Sequence, residues 1–285
     1  MTAECTLQAY DGTELYAKSD CVADPRAAIV IVHGLCEHLG RYDYLTARLN
    51  ARGYSVYRFD HRGHGKSAGQ KVFYKDRTEI VKDIDTAVEW ALYENPGVPV
   101  YMIGHSMGGY GATSYATAHP GKCDGYILSG AWTRDYAGLA ADAVNAEGDD
   151  LTYFSNSLAG GVCSDPTVGE RYMKDPLVVK EISLGLMRTV ADGHAWLKEN
   201  AANFSDPVII LHGAEDGLVS PKDSLELFEQ ISSTDKSLHI FAGLMHEIFN
   251  EYDKDTVIDM VLAWLNERAD IVYDIWEEEE EEIDE

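Results

Sequence analysis

The chain has 285 residues, 45% of them hydrophobic, and carries 49 acidic against 23 basic side chains, a formal net charge of −26. That length can fill one large α/β domain with a substantial core, while the charge excludes nucleic acid as a partner, because phosphate binding needs clustered Lys and Arg and no such cluster occurs. It also disfavours stable adhesion to anionic lipid, and with no apolar run near the ~18 residues of a membrane span and no signal-peptide pattern in "MTAECTLQAYDGTELYAK", a cytoplasmic protein is expected.

The first predicted element is a β-hairpin. In "ECTLQAYDGTELYAKS" the pair Asp11-Gly12 separates two alternating stretches, and both residue types accept the positive φ of a tight turn. The pattern then changes to short, nearly continuous apolar runs, as expected of strands buried on both faces: residues 27 to 34, 54 to 60, 98 to 104, 125 to 130, 207 to 213 and 237 to 243. Between the second and third, Ile80, Ile84, Val88 and Leu92 recur at helical spacing opposite Lys82, Asp83 and Glu89. A further helix is expected to begin at Pro221 with Ser220 as its cap, and Val257, Val261, Leu262 and Leu265 mark the last one. Strands alternating with helices imply a mostly parallel sheet covered on both faces.

One interval breaks this rhythm. Residues 131 to 206 show no strand pattern, yet hold Trp132, Tyr136, Tyr153, Phe154, Leu184, Leu186, Met187 and Trp196. So long a segment in a compact domain predicts an inserted helical cap, whose aromatic and aliphatic side chains either bind an acyl chain or form the cap's own core. No repeat or linker divides the rest, so residues 1 to 276 are expected to form a single domain. The acidic run from Glu277 to Glu282, with Asp284 and Glu285, predicts a disordered tail over 277 to 285, because such runs repel themselves. The five cysteines (Cys5, Cys21, Cys36, Cys123, Cys163) are scattered and show no paired spacing, so they are expected to be reduced thiols.

The chemistry centres on "GHSMGG", residues 104 to 109. Ser106 follows a strand and precedes a helix-forming stretch, with Gly104 and Gly108 two residues to either side, the context of a nucleophile elbow. A serine hydroxyl is a poor nucleophile at neutral pH and needs a histidine base oriented by an acid, in the chain order serine, acid, histidine. Asp216 in "HGAEDGLVSP" lies just beyond a strand, with Glu215 as its rival. His246 in "GLMHEIFNE" combines that order with a loop after the last strand. His239 is expected to pack within its strand, and His33, His61, His64, His105 and His212 to orient loops. The stretch "HEIFN" lacks the second histidine of a zinc motif, so no metal site and no cofactor are expected. A tetrahedral intermediate also needs backbone N–H donors; Met107, just after the serine, and Leu35, in "HGLCEH", are the candidates.

Taken together, "HGLCEHLGRYDYLTARLNARGYSVYRFDHRGHGKSAG", "GHSMGG", "HGAEDGLVSP" and "HEIFNE" resemble the monoacylglycerol lipase and lysophospholipase-like group of α/β-hydrolases, also labelled serine aminopeptidase S33-type hydrolases. The resemblance implies an eight-stranded sheet, a triad of Ser106, Asp216 and His246, and oxyanion donors from Leu35 and Met107. It further implies that Glu37, Arg41 and His105 line the polar end where relatives hold a glycerol-like leaving group, and that Asp60 and Arg62 of "DHRGHGKS" brace loops. Two positions depart from the pattern: Cys36 stands where relatives usually have glycine, and Leu39 where they often have serine. A larger side chain beside the oxyanion loop is expected to narrow the alcohol pocket.

The leading expectation is a serine carboxylic-ester hydrolase acting on monoacylglycerol or lysophospholipid-like esters through an acyl-enzyme. The alternatives are a short-chain or aryl (feruloyl-type) esterase, an S33-type peptidase, and a non-catalytic binding protein that kept the fold. The partner expected is a small-molecule ester or monoacyl lipid, with at most transient membrane contact through the cap.

Overall fold

In the computed structural model the described residues are 1–269 apart from Asp142, together with the backbone of the last helix as far as Ile283. The expected disordered tail at 277–285 lies outside the fully described residues.

The hairpin forms as the pattern predicts. Strands β1 (Thr2–Gln8) and β2 (Glu14–Asp20) pair antiparallel, joined by a turn in which Gly12 takes φ +82°. The apolar runs become β3 (Ala27–Val32), β4 (Tyr54–Phe59), β5 (Val100–His105) and β6 (Gly125–Ser129). An insertion then intervenes before the last two strands of the sheet, β9 (Val208–Gly213) and β10 (Lys236–Phe241). One sheet of eight strands results, in the order β1-β2-β4-β3-β5-β6-β9-β10, parallel except where β2 meets β1 and β4. His239 lies in the edge strand β10 and is only half-buried, because the sheet ends there.

The continuous apolar character of β3 has a direct structural meaning. Ala28, Val30 and Val32 join the core on one face, and Ala27, Ile29 and Ile31 the core on the other. Alternate side chains of one strand thus feed two separate layers, and burying each Val or Ile contributes about 1.5–3 kcal/mol. Helices α2 (Arg77–Glu94), α3 (Met107–Ala118) and α7 (Pro221–Gln230) cover the first face. Helices α1 (Asp43–Asn50) and α8 (Lys254–Ile283) cover the second, through Leu45, Leu49, Val257, Ile258 and Val261. The motif "DHRGHGKS" braces loops as expected: Asp60 accepts from the Leu39 and Lys66 N–H groups, and Arg62 binds Asp83, Glu79 and Asp11.

The insertion differs from expectation in one respect. Besides helices α4 (Ala141–Val144), α5 (Pro166–Lys174) and α6 (Leu184–Asn200), it contains strands β7 (Tyr153–Ser155) and β8 (Glu181–Ser183), paired antiparallel as a separate two-stranded sheet. Three residues are too few to show a period of two, so these strands leave no signal in the sequence.

The approach of α3 to the sheet fixes where the site sits. Gly108 packs so tightly that a Cβ there would press far inside van der Waals contact of the Val32 and His33 carbonyl oxygens, which are backbone atoms that cannot move aside. We expect Gly108→Ala to cost about 3 kcal/mol through overpacking, measured as a lowered urea midpoint with unchanged slope.

Candidate active site

Ser106 occupies the sharp turn between β5 and α3 with φ +55° and ψ −121°, a left-handed φ that is costly for a residue with a side chain. The surrounding backbone enforces it, since the Ser106 N–H donates to Ser129 O at 3.0 Å and the Ser106 carbonyl accepts from Tyr110 and Trp132. Its hydroxyl makes no cap bond to α3, so it is left to face the cleft that Ser106 and His246 both line.

His246 follows β10, and its Nδ1 lies 2.7 Å from Asp216 Oδ2. A carboxylate only accepts, so Nδ1 carries the proton and Nε2 keeps its lone pair. Asp216 is fixed in turn by the Leu218 and Val219 N–H groups, both 2.9 Å from Oδ1, while His212 Nε2 stands 3.1 Å from Oδ2. Its rival Glu215 is exposed to solvent. Burial alone would push the Asp216 carboxyl up, but the His246 charge and these hydrogen bonds hold it well below the usual carboxylate range. For His246, burial disfavours the imidazolium, yet Asp216 outweighs it and raises the pKa above the ordinary histidine value. Gly130, at φ +50°, sits against both: a Cβ there would meet His246 Nδ1 at 3.2 Å and Asp216 Oδ2 at 3.4 Å.

The loop after β3 supplies the second wall. Among the described residues neither the Leu35 nor the Met107 N–H has a protein acceptor, so both candidate donors are unspent. The direction of the Leu35 N–H is set by His33. Because His33 Nε2 accepts from the His61 N–H at 2.9 Å, its Nδ1 is the protonated nitrogen and donates to Gly34 O at 2.8 Å. Gly34 C=O and Leu35 N–H share one peptide plane, so fixing the carbonyl aims the N–H oppositely. Glu37 Oε1 grips the same loop from the Gly34 N–H at 2.5 Å.

Cys36 does not narrow the pocket as expected. Its side chain is fully buried in the core and does not line the cleft; the consequence of Cys in place of glycine is that a residue with a side chain must hold a left-handed φ of +64°. Burial also pushes its thiol pKa up, which makes it unreactive. Leu39 is likewise buried away from the cleft.

Glu37, Arg41 and His105 do line the cleft with Ser106 and His246. The Arg41 guanidinium binds Glu37 Oε2 and also reaches Glu247, at 3.0 Å from Oε1 and 2.8 Å from Oε2. Burial opposes the Glu37 charge, but Arg41 outweighs it and holds this carboxyl well below the usual range. His105 donates Nδ1–H to Ser129 O and lies against the His246 ring, with centroids 4.7 Å apart; burial lowers its pKa to about 4, so it is neutral. Glu247 was not a sequence candidate, although it stands beside His246. Of the aromatic and aliphatic residues expected either to bind an acyl chain or to form the cap's own core, Trp132 lines the cleft, Leu184, Leu186 and Met187 are buried in the core, and Tyr136 is exposed. The apolar wall comes instead from Leu139, Leu158, Val162, Tyr172 and Leu218. Among the described residues no cluster of three or more His, Cys, Asp or Glu could hold a metal ion.

The chain is similar to the monoacylglycerol lipase of Mycolicibacterium smegmatis, 34% identical over 251 residues that cover 85% of this chain and 89% of that one. Human monoglyceride lipase is 28% identical, with 86% of this chain and 84% of that one covered. Two solved structures share the fold at higher than marginal identity. The crystal structure of Paleococcus ferrophilus monoacylglycerol lipase superposes with a TM-score of 0.78 at 32% identity, covering 88% of this chain and 98% of that one. A soluble variant of Saccharomyces cerevisiae monoglyceride lipase, in complex with a substrate analog, superposes with 0.84 at 26% identity, covering 94% and 96%. Residues 23–253 match the family described as serine aminopeptidase, S33. With four-fifths of its length matched in this way and the expected eight-stranded, mostly parallel sheet, the chain belongs to the serine aminopeptidase S33 family of α/β-hydrolases.

Proposed function

We propose that this protein is a serine ester hydrolase that cleaves monoacylglycerols through an acyl-enzyme. The observation that carries the reading is the convergence on one cleft of an unencumbered serine, a histidine bonded to a buried aspartate, and the unspent Leu35 N–H, with the unspent Met107 N–H adjoining the serine at the start of α3. In this reading Ser106 attacks the ester carbonyl and His246 takes its proton, then returns it to the leaving alcohol. Asp216 holds the imidazole tautomer and stabilises its charged form, while Leu35 and Met107 N–H groups bind the developing oxyanion. Water cleaves the acyl-enzyme with His246 again as base. Similarity to the named lipases supports the same substrate class.

The apolar wall of Leu139, Leu158, Val162 and Leu218 suits an acyl chain and favours this reading over a short-chain esterase. The segment 131–206 then acts as a cap over the site. It carries exposed Tyr136, Val144, Leu151, Phe154 and Met173, which suit brief contact with a lipid surface. Among the described residues no helix is long and apolar enough to cross a membrane. The five cysteines are all free thiols, which fits residence in the reducing cytoplasm.

A substrate panel tests this. We expect kcat/KM on p-nitrophenyl esters to rise from acetate to octanoate by about 10-fold or more, as added methylenes are buried, with cleavage of monooleoylglycerol and none of leucine p-nitroanilide. Activity confined to acetate, or to the anilide, would overturn the reading.

A further inference from the structure

The cleft around Ser106 has an unusual charge balance at its polar end. Arg41 is the one arginine or lysine lining either of its two chambers among the described residues, and it is already held by two carboxylates. Glu37 and Glu247 against Arg41 leave one net negative charge. All three side chains are at most 12% exposed. The Tyr42 hydroxyl and the Gly34 N–H consolidate Glu37, and the Asn250 amide donates to Glu247 Oε2 at 2.8 Å. The Arg41 fork therefore cannot turn to a phosphate without leaving a buried carboxylate unpaired, which is strongly unfavourable. Neutral His105 adds no positive charge.

We infer that Glu247 is a specificity-determining residue: by holding the Arg41 charge in an ion pair it makes the alcohol end accept an uncharged polyol leaving group and reject an anionic one such as a glycerol phosphate. This rests on the acylglycerol-hydrolase reading and narrows it, setting lysophospholipid-type substrates with an anionic head apart from monoacylglycerols. A polyol needs only hydrogen-bond acceptors and donors, which the carboxylate lone pairs and guanidinium edge supply. A phosphomonoester carries about −1.5 to −2 charges near neutral pH and would meet two fixed carboxylates in a cleft poorly screened by salt.

The test compares hydrolysis of monohexanoylglycerol and hexanoyl-glycerol phosphate, both short enough to stay monomeric, by wild type, Glu247→Gln and Glu247→Asp. High salt removes the long-range repulsion of a chain whose net charge is −26. Wild type is expected to prefer the neutral ester by about 100-fold or more in kcat/KM. Glu247→Gln should narrow that ratio by about 10-fold, chiefly through KM for the phosphate ester, and Glu247→Asp should restore it. Comparable wild-type rates on the two esters would overturn the inference whether or not the variants fold. Equal losses on both esters in Glu247→Gln would overturn it too, reducing Glu247 to a brace for Arg41. Wild-type inactivity on both, with retained cleavage of p-nitrophenyl octanoate, would overturn the acylglycerol reading itself and this inference with it.

Discussion

Replacing Ser106 with alanine is expected to lower kcat on octanoate esters by about 10⁵–10⁶-fold, the loss seen when the nucleophile of a serine triad is removed. The expectation follows from what the hydroxyl does and does not touch. It makes no cap bond to α3, so its loss breaks no hydrogen bond of the fold. The backbone conformation at φ +55° is imposed by the Ser129, Tyr110 and Trp132 partners of the Ser106 main chain, and alanine pays the same cost there as serine. Stability should therefore change by no more than about 0.5 kcal/mol, within the range of substitutions that break nothing. Activity and stability are thus decoupled at this position. A thermal melt matching wild type, beside abolished hydrolysis, is the predicted pair of results. Undiminished hydrolysis would remove Ser106 as the nucleophile.

The site's main parts were legible because each lies at the carboxyl end of a strand whose apolar run is plain in the sequence. Ser106 follows β5, Asp216 follows β9 and His246 follows β10, so finding the strands placed the three side chains at the carboxyl end of the parallel sheet. Glu247 was not legible, since its meaning comes from Arg41, 206 residues away in the chain, and nothing local distinguishes it from a solvated glutamate. The cleft's apolar wall was hidden for a related reason. Leu139, Leu158 and Val162 lie in irregular stretches of the insertion, where no period reveals which side chains turn inward. Helix α1 also escaped notice, being only eight residues long with three buried positions. Cys36 shows the reverse error: a position read correctly as unusual was assigned a steric effect on the pocket, whereas the structure turns its side chain into the core and leaves only a backbone conformation that glycine would adopt more easily.

Asp216→Asn is the second substitution expected to have a large effect, about 10⁴-fold in kcat near neutral pH, and its cause is a misplaced proton. In the native site Oδ1 accepts from the Leu218 and Val219 N–H groups and Oδ2 from His246 Nδ1. An asparagine satisfies the two backbone donors only by turning its carbonyl oxygen to them, which sets its amide NH₂ against His246. That NH₂ donates to Nδ1, so the neutral imidazole must carry its proton on Nε2, the nitrogen that should accept one. The same NH₂ would also face His212 Nε2, whose hydrogen is directed to Val219 O at 3.0 Å. The pH dependence gives a second readout. The base works only when neutral, so wild-type kcat/KM should fall as pH drops through the raised pKa of His246, above the ordinary histidine value of 6.5. Removing the Asp216 charge leaves burial to dominate, and burial disfavours the imidazolium. The acid limb of the variant's residual activity should therefore move to lower pH, while a limb that stays in place would show that Asp216 does not set the charge of His246.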